Sequence, residues 1–360
     1  MSRKGPNNLY NRHQNKRALA KKERAKAKSR CETFENTDVN PISWKSFDIP
    51  PEELLGESER IGIVAEVRSG TFSCLTGKEL VICKLGKKIP FELGKSLVIG
   101  DEVIYEMVGE IGFIRGRMAR RSYLARIRGD STRFSAASNE EHVIAANVDI
   151  GVIVATAAYP NFHAGLVDRY LILCQNGRVK PLICLNKVDL TDVRDPILSY
   201  YATELGINVI EASTVTEQGI TQLKECLSGT VSVLVGNSGV GKSSLINVLL
   251  GDTMIRVREV SKKHKEGRHT TTTSQLYEWN PGSYLIDTPG VRSLGIESVE
   301  KTALRYFFPE FQEPSKNCKF GDCLHDNEPE ATCGVKQAVK VGIINDQRYT
   351  SYIRMLSELV

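Results

Sequence analysis

The sequence predicts a multidomain α/β protein. It should hold a small N-terminal β-barrel, a domain of strands and helices around a mostly parallel sheet, and a short C-terminal helical domain. Three observations predict this. Residues 58–125 are short strand-like runs separated by turn signals, with no helical pattern between most of them. From about residue 140, apolar runs of strand length alternate with helical stretches. Beyond residue 300, Cys318, Cys323, His325 and Cys333 fall within sixteen residues, and a helical spacing follows. The length of 360 residues agrees, since one domain per ~100–200 residues is usual.

Composition narrows the class. An apolar fraction of 41% with 25% charged residues excludes wholesale disorder and collagen-like fibre. The net charge of +5 is unevenly spread: residues 1–30 hold eleven Lys/Arg against Glu23 alone, which leaves −5 for residues 31–360. Residues 1–45 therefore read as a basic flexible arm. A dense block of like charge repels itself and serves as an interaction tail, with nucleic acid the first candidate partner. Residues 12–30 lack Gly and Pro and could turn helical once neutralised. The nine cysteines are odd in number, and the first six are scattered, several within apolar runs such as Leu182–Leu185. That suits a reducing compartment, not a disulfide framework. No secretory apolar region follows the basic N-terminus. The longest apolar stretch, Ile150–Ala158, spans nine residues, too few to cross a membrane. A cytoplasmic monomer without a membrane segment is expected.

The barrel is assigned to residues 46–134. Arg60–Val67 reads as a strand and Arg68-Ser69-Gly70 as its turn. Thr71–Leu75 follows, then the turn Thr76-Gly77-Lys78 and the strand Leu80–Leu85. Gly100-Asp101 opens Glu102–Val108, and Gly109–Gly112 leads into Phe113–Met118. Strands at this spacing suggest a small antiparallel barrel, and an OB-like barrel, often used for oligonucleotides, fits best. The exit segment 115–133 carries Arg115, Arg117, Arg120, Arg121, Arg126, Arg128 and Arg133 against Asp130, with Phe113, Tyr123 and Phe134 interleaved. A net +6 with aromatics suits phosphate contact and base stacking. An ordinary solvated face is the plainer alternative.

Residues 135–300 form the second domain. Strands are expected at Val148–Thr156, Pro181–Leu185, Ile207–Ala212, Val231–Val235, Gln275–Trp279 and Ser283–Ile286. Helices are expected at Gly165–Gln175, Asp195–Leu205, Gly219–Cys226 and Lys242–Leu250. Apolar strands alternating with helices imply a sheet covered on both faces.

The strongest chemical signal is Gly236-Asn237-Ser238-Gly239-Val240-Gly241-Lys242-Ser243, followed by Ser244. It fits the P-loop pattern, with a strand before it and a helix after it. Its glycines let successive N–H groups face phosphates, and the helix N-terminus adds its dipole. Lys242 would reach the β- and γ-phosphates, and the Ser243 hydroxyl would bind Mg²⁺. A P-loop alone does not choose between ATP and GTP. Asn186-Lys187-Val188-Asp189, closing the strand Pro181–Leu185, does. The Asp189 carboxylate can accept both the ring N1–H and the exocyclic amine of guanine, which adenine cannot offer. Asn186 would hold the loop, and the Lys187 stem would pack on the base. Ala212-Ser213, at the end of the next strand, is a candidate backbone contact to the guanine oxygen.

Asp287-Thr288-Pro289-Gly290 ends the strand Ser283–Ile286. Asp287 can hold Mg²⁺ through water, and the Gly290 N–H can sense the γ-phosphate. Within Lys262–Gln275 lies Gly267-Arg268-His269-Thr270-Thr271-Thr272-Thr273. Thr271 or Thr272 could close on Mg²⁺ and γ-phosphate, making this a switch. Val291 follows Gly290, where a water-orienting glutamine often stands, so hydrolysis needs a partner or another residue. His269 is the candidate.

The order of these parts is unusual. The base-reading motif at 186 precedes the P-loop at 236, and Asp287 comes last. In an ordinary GTPase the P-loop comes first. A circular permutation, tolerated where termini lie close at the surface, explains the order. The second switch then leads straight into residues 301–360. There Cys318, Cys323, His325 and Cys333 suit a closed, tetrahedral, structural Zn²⁺ site, one ion per chain. Tyr349, Tyr352, Ile353, Leu356, Leu359 and Val360 recur at helical spacing and read as packing.

On these residues, over roughly 58–360, the chain resembles the bacterial ribosome small-subunit-dependent GTPase A family (RsgA, also called YjeQ). Asn147-Val148-Asp149, Asp168-Arg169-Tyr170, Gly267-Arg268-His269-Thr270-Thr271-Thr272 and the Cys/His cluster add to the match. One departure is the His325-to-Cys333 spacing, two residues longer than the family's pattern. The resemblance implies an OB-like domain, a circularly permuted P-loop GTPase domain and a zinc domain. It also implies GTP and GDP as ligands, with Mg²⁺. It implies binding to the small ribosomal subunit and its rRNA late in maturation, turnover stimulated by the subunit, and release coupled to hydrolysis. The family's histidine corresponding to His269 has been proposed as catalytic. Two other readings stay open: a GTP-gated RNA-binding module with incidental turnover, and a P-loop enzyme of small metabolites. Asn186–Asp189 argues against the second of these.

Overall fold

Short strands joined by tight turns bury little alone, so the N-terminal strands close on one another. The computed structural model describes residues 48–49, 58–68, 70–87, 96–126, 142–251, 275–287, 296 and 299–359. After the two-residue β1 (Asp48–Ile49) come β2 (Glu59–Arg68), β3 (Thr71–Thr76), β4 (Glu79–Leu85), β5 (Glu102–Val108) and β6 (Ile111–Met118). β2 pairs β3, and β3 pairs β4, both antiparallel. β4 pairs β6 in parallel. β6 pairs β5, and β5 returns to β2, again antiparallel. The five strands therefore form a closed ring. Alternate residues face inward, and Val64, Phe72, Cys74, Cys83, Val103, Tyr105 and Ile114 fill the interior. A ribbon follows that the sequence pattern did not reveal: β7 (Tyr123–Arg126) antiparallel to β8 (His142–Ala146).

The next strands are β9 (Ile150–Thr156), β10 (Lys180–Asn186), β11 (Asn208–Glu211), β12 (Val231–Val235), β13 (Gln275–Asn280) and β14 (Ser283–Asp287). In space they run β13-β14-β12-β9-β10-β11, all parallel except β13. The chain enters in the middle at β9, moves out to β11, then crosses back to β12 on the other side of β9. Strand order therefore reverses between β9 and β12, the place where open α/β sheets bind ligands beyond their carboxyl ends. One pairing, Gln275 with Glu66, joins this sheet to the barrel.

Period-two alternation gives each parallel strand two apolar faces. Ile153, Ala155, Ile183 and Leu185 pack with α1 (Ala164–Asn176) and α2 (Ile197–Thr203). Val152, Val154, Leu182 and Cys184 pack with α3 (Ile220–Leu227) and α4 (Lys242–Leu250). Burial pushes the Cys174 and Cys184 thiols up to about 12, as expected of cysteines that act as small hydrophobes.

The chain divides into two compact units, one comprising Val39–Ser298 and the other including Val299–Val360. The second contains three 3₁₀ turns (Leu304–Phe307, Pro309–Phe311 and Glu330–Thr332), α5 (Gln312–Ser315), α6 (Gly334–Lys340) and α7 (Asp346–Glu358). Its core is aromatic: Phe308, Phe311 and Tyr352 lie with ring centroids 5.0–5.2 Å apart. The buried Arg348 donates to Glu310 at 2.7 Å and stacks 4.4 Å from the Phe308 ring centre. Asn345 caps α7 through its side chain. Among the described residues, no helix is long and apolar enough to cross a membrane.

Candidate functional site

Parallel strands bring their following loops to one edge, and four expected motif segments meet there. Residues 236–241 follow β12, Asn186 ends β10, Ala212 follows β11, and Asp287 ends β14. The P-loop glycines have a geometric reason. Gly236 (φ +143°) and Gly241 (φ +94°) adopt backbone closed to other residues. A β-carbon at Gly236 would run into the Val154 carbonyl, and one at Gly241 into Asn186 Nδ2.

The two signature segments touch directly. Asn186 Nδ2 donates to the Val240 carbonyl at 2.9 Å. Asn186 Oδ1 is buried with no partner among the described residues. Lys187 Nζ donates to Gly239 O at 2.7 Å and to Tyr159 O at 2.5 Å. Lys242 Nζ lies across its own loop, on Gly236 O at 2.7 Å and Asn237 O at 2.6 Å. These are carbonyl contacts that a phosphate oxygen can displace. Ser238, Gly239, Ser243, Ser244 and Asp189 are exposed, and Asp287 is half-buried.

Two residues escaped the sequence reading. Tyr159 acts through its carbonyl, so no side-chain pattern could reveal it. The other is Thr214. The Ala212 N–H already donates to Leu185 O, and the Ser213 N–H to Gln218 O. Ser213 Oγ accepts from Val215 and Thr216. The expected base contact from the Ala212 and Ser213 amides is thus taken up within the fold. The Thr214 N–H has no partner among the described residues. His269, Thr271, Thr272, Gly290, Val291, the rest of 252–274 and 288–295, and the arm 1–45 lie outside the described residues.

The arginine-rich exit from the barrel is not a free basic stripe. Arg117 and Arg120 are buried, as is Tyr123. Arg120 is in bidentate contact with Asp101 at 2.6 and 2.7 Å. Arg115 pairs with Glu59 at 2.6 Å and Arg121 with Asp149 at 3.0 Å. For Arg117, Arg120 and Tyr123 burial replaces the expected RNA contact with a structural role. Arg128, Arg133, Phe134 and the Arg126 side chain lie outside the described residues.

The second candidate centre is in the C-terminal unit. The ligand atoms of Cys318, Cys323, His325 and Cys333 all lie within 4.8 Å of one another. His325 Nδ1 is 3.6, 3.2 and 3.5 Å from the three Sγ atoms, and Cys323 and Cys333 Sγ are 3.8 Å apart. A tetrahedral ion with bonds of ~2.3 Å to sulfur and ~2.0–2.1 Å to nitrogen needs edges of about 3.8 and 3.5 Å. The donor set therefore fits such an ion. Burial, with the Arg305 and Lys336 charges, pushes His325 down to about 4, so its imidazole is neutral and able to donate a lone pair. Burial raises the Cys323 and Cys333 thiols, so a cation binding there would displace protons.

The loop is held from outside. Lys336 donates to the carbonyls of Asp326 and Glu328, and the Glu328 carboxylate accepts from Leu324 and Asp326 N–H. Tyr349 and Tyr352 hydroxyls donate to His325 O and Leu324 O at 2.6 and 2.7 Å. The longer 325–333 spacing is absorbed by the 3₁₀ turn Glu330–Thr332, which leaves Cys333 in reach.

Comparison with known proteins agrees with this geometry. The RsgA GTPase family model matches residues 118–297. The small ribosomal subunit biogenesis GTPase RsgA of Thermotoga neapolitana is 37% identical over 290 residues, spanning 79% of this chain and 90% of that protein. The crystal structure of YjeQ from Thermotoga maritima superposes with a TM-score of 0.65 at 31% identity, over 83% of this chain and 98% of that one. YloQ, described as a circularly permuted GTPase, gives a TM-score of 0.63 at 27% identity, over 84% of this chain and 95% of that one.

Proposed function

The chain belongs to the RsgA GTPase family and hydrolyses GTP; from that premise we propose that it acts on the small ribosomal subunit during late maturation, is stimulated by it and leaves after hydrolysis. The observation carrying the proposal is the meeting of the P-loop and Asn186-Lys187-Val188-Asp189 at one sheet edge in a permuted chain. Relatives 36–37% identical to this chain bear the name small ribosomal subunit biogenesis GTPase.

Each residue then has a task. Asp189 reads the guanine N1–H and amine, Lys187 packs along the base, and the Thr214 N–H is placed for its oxygen. Residues 236–244 cradle the phosphates, with Lys242 moving from its carbonyls to the β- and γ-oxygens. Ser243, Asp287 and one of Thr271 and Thr272 would hold Mg²⁺, which supplies charge neutralisation on the phosphates. Gly290 senses the γ-phosphate, and His269 orients the attacking water. Cys318, Cys323, His325 and Cys333 hold one structural zinc. The closed barrel is read as OB-like, and it, the arm and the C-terminal domain face rRNA. The chain is divided at 1–45, 46–134, 135–300 and 301–360, and works as a cytoplasmic monomer.

Turnover of GTP with purified small or large subunits tests the proposal. Small subunits should stimulate and large ones should not. Equal rates with and without small subunits would refute it and leave the RNA-binding module with incidental turnover.

A further inference from the structure

Two neighbouring arginines leave the barrel in opposite directions. Arg120 is buried on Asp101 of the barrel, whereas the half-exposed Arg121 reaches Asp149, just before β9. Arg121 Nη2 donates to Asp149 Oδ1 at 3.0 Å and to Asn147 O at 3.0 Å, and its Nε lies 3.3 Å from the same carboxylate oxygen.

Asp149 uses its other oxygen elsewhere. Oδ2 accepts the Val231 N–H at 2.8 Å, and the Asp149 N–H donates to Val231 O at 2.8 Å. The Asp149 carbonyl accepts the Lys180 N–H at 2.9 Å. One residue thus fastens the starts of β12 and β10. The far ends of these strands carry Gly236 and Asn186, joined through the Asn186–Val240 bond. Five residues of strand carry a displacement at Val231 about 16 Å to the P-loop.

The junction is also strained and over-determined. Asn147 sits at φ +53°, in the left-handed region. It is held there by the Arg121 N–H on its Oδ1 at 3.0 Å, by its Nδ2 on Gly100 O at 2.9 Å, and by its N–H on Ser122 O at 2.8 Å. Gly100 belongs to the barrel: its N–H donates to Val64 O in β2. Barrel, ribbon and P-loop strand therefore meet in one set of bonds.

We propose that Arg121 and Asp149 are positioning residues that carry the docked state of the barrel to the nucleotide site through Val231. The inference rests on the functional reading above, because docking on the subunit is the input. The Arg121–Asp149 pair is half-exposed, at 45% and 35%, and such pairs add little stability. Its place between two modules gives it a transmitting role instead.

The test uses the full chain with Arg121→Ala, Asp149→Asn, the double variant and Arg121→Lys. Turnover is measured with and without saturating small subunits, beside subunit affinity and unfolding midpoint. Basal turnover and subunit affinity of Arg121→Ala should stay near wild type. The stimulation factor should fall about fivefold or more, the range of site-to-site coupling. The double variant should lose no more than the worse single one, and Arg121→Lys should recover part. Unchanged stimulation factors would overturn the proposal. So would basal and stimulated rates falling in equal proportion, or a weakened subunit affinity with full stimulation at saturation. A wild type that small subunits do not stimulate removes the functional reading and this link with it.

Discussion

Asp101→Ala separates the structural arginines from RNA-contacting ones. The Asp101 carboxylate takes Arg120 Nε at 2.6 Å, Nη2 at 2.7 Å and the Val98 N–H at 2.8 Å. Arg120 also donates to Ser96 O at 2.7 Å, and the two side chains are 3% and 0% exposed. The substitution leaves a buried guanidinium without its carboxylate, which costs about 3–5 kcal/mol. At roughly 2–4 °C per kcal/mol for a unit of this size, the midpoint should fall by about 6–20 °C. Thermal unfolding of the full chain, followed by circular dichroism, reads the shift. The double variant Asp101→Leu with Arg120→Met should recover most of it, because apolar pairs of similar volume often replace buried ion pairs at no net cost. The reasoning is refuted if Asp101→Ala and Arg120→Ala both keep the wild-type midpoint. Arg120→Ala that then loosened RNA and lowered the salt slope by about one phosphate's share would restore the contact reading.

Asp189→Asn should exchange guanine for xanthine preference. Two charge-assisted bonds at about 1.5–3 kcal/mol each predict a loss of roughly 10²–10⁴ in GTP affinity, and retained selectivity in nucleotide competition would contradict the assignment. Elemental analysis should find one zinc per chain, and Cys333→Ser should release it and unfold the C-terminal unit; a metal-free protein with that unit intact would sink the site. Deleting residues 1–30 removes a net +10, so RNA binding should weaken and its salt dependence flatten, and an unchanged slope would show the arm makes no phosphate contact. His269→Ala should lower subunit-stimulated turnover, and an unaffected rate would remove it from catalysis.

What the sequence revealed follows from what carries periodicity. Val231–Val235 and Lys242–Leu250 are found where apolar runs and a glycine-rich turn place them. The barrel strands differ from expectation by only one or two residues at their ends. The Cys/His cluster was legible because ligand types are rare and closely spaced. The β7–β8 ribbon was hidden because its strands are short and arginine text masks Tyr123–Ala125. The arginines misled for a related reason. Charge is visible in a sequence, but the partner that neutralises it, Asp101 for Arg120, lies 19 residues away. Backbone contacts were invisible altogether: the Tyr159 carbonyl that holds Lys187 and the spent amides of Ala212 and Ser213 depend on loop path alone.

The permutation gives the two outer modules different routes to the nucleotide. The barrel enters at the amino ends of the parallel strands, where Asn147 and Asp149 gather its hydrogen bonds. The C-terminal unit is joined through residues 288–298, directly after Asp287 at the carboxyl end of β14. The first route is a set of short bonds onto a rigid strand, so it can tighten or loosen the cradle without moving far. The second is a covalent tether that, in the proposed mechanism, starts at Asp287, which holds Mg²⁺, and passes through Gly290, which senses the γ-phosphate. In the proposed mechanism hydrolysis acts on that tether before it acts on the barrel. Release should therefore begin at the C-terminal unit. Small-subunit complexes held with a non-hydrolysable GTP analogue should protect both modules from hydrogen exchange, and those held with GDP only the barrel. Simultaneous loss of both protections would refute the order.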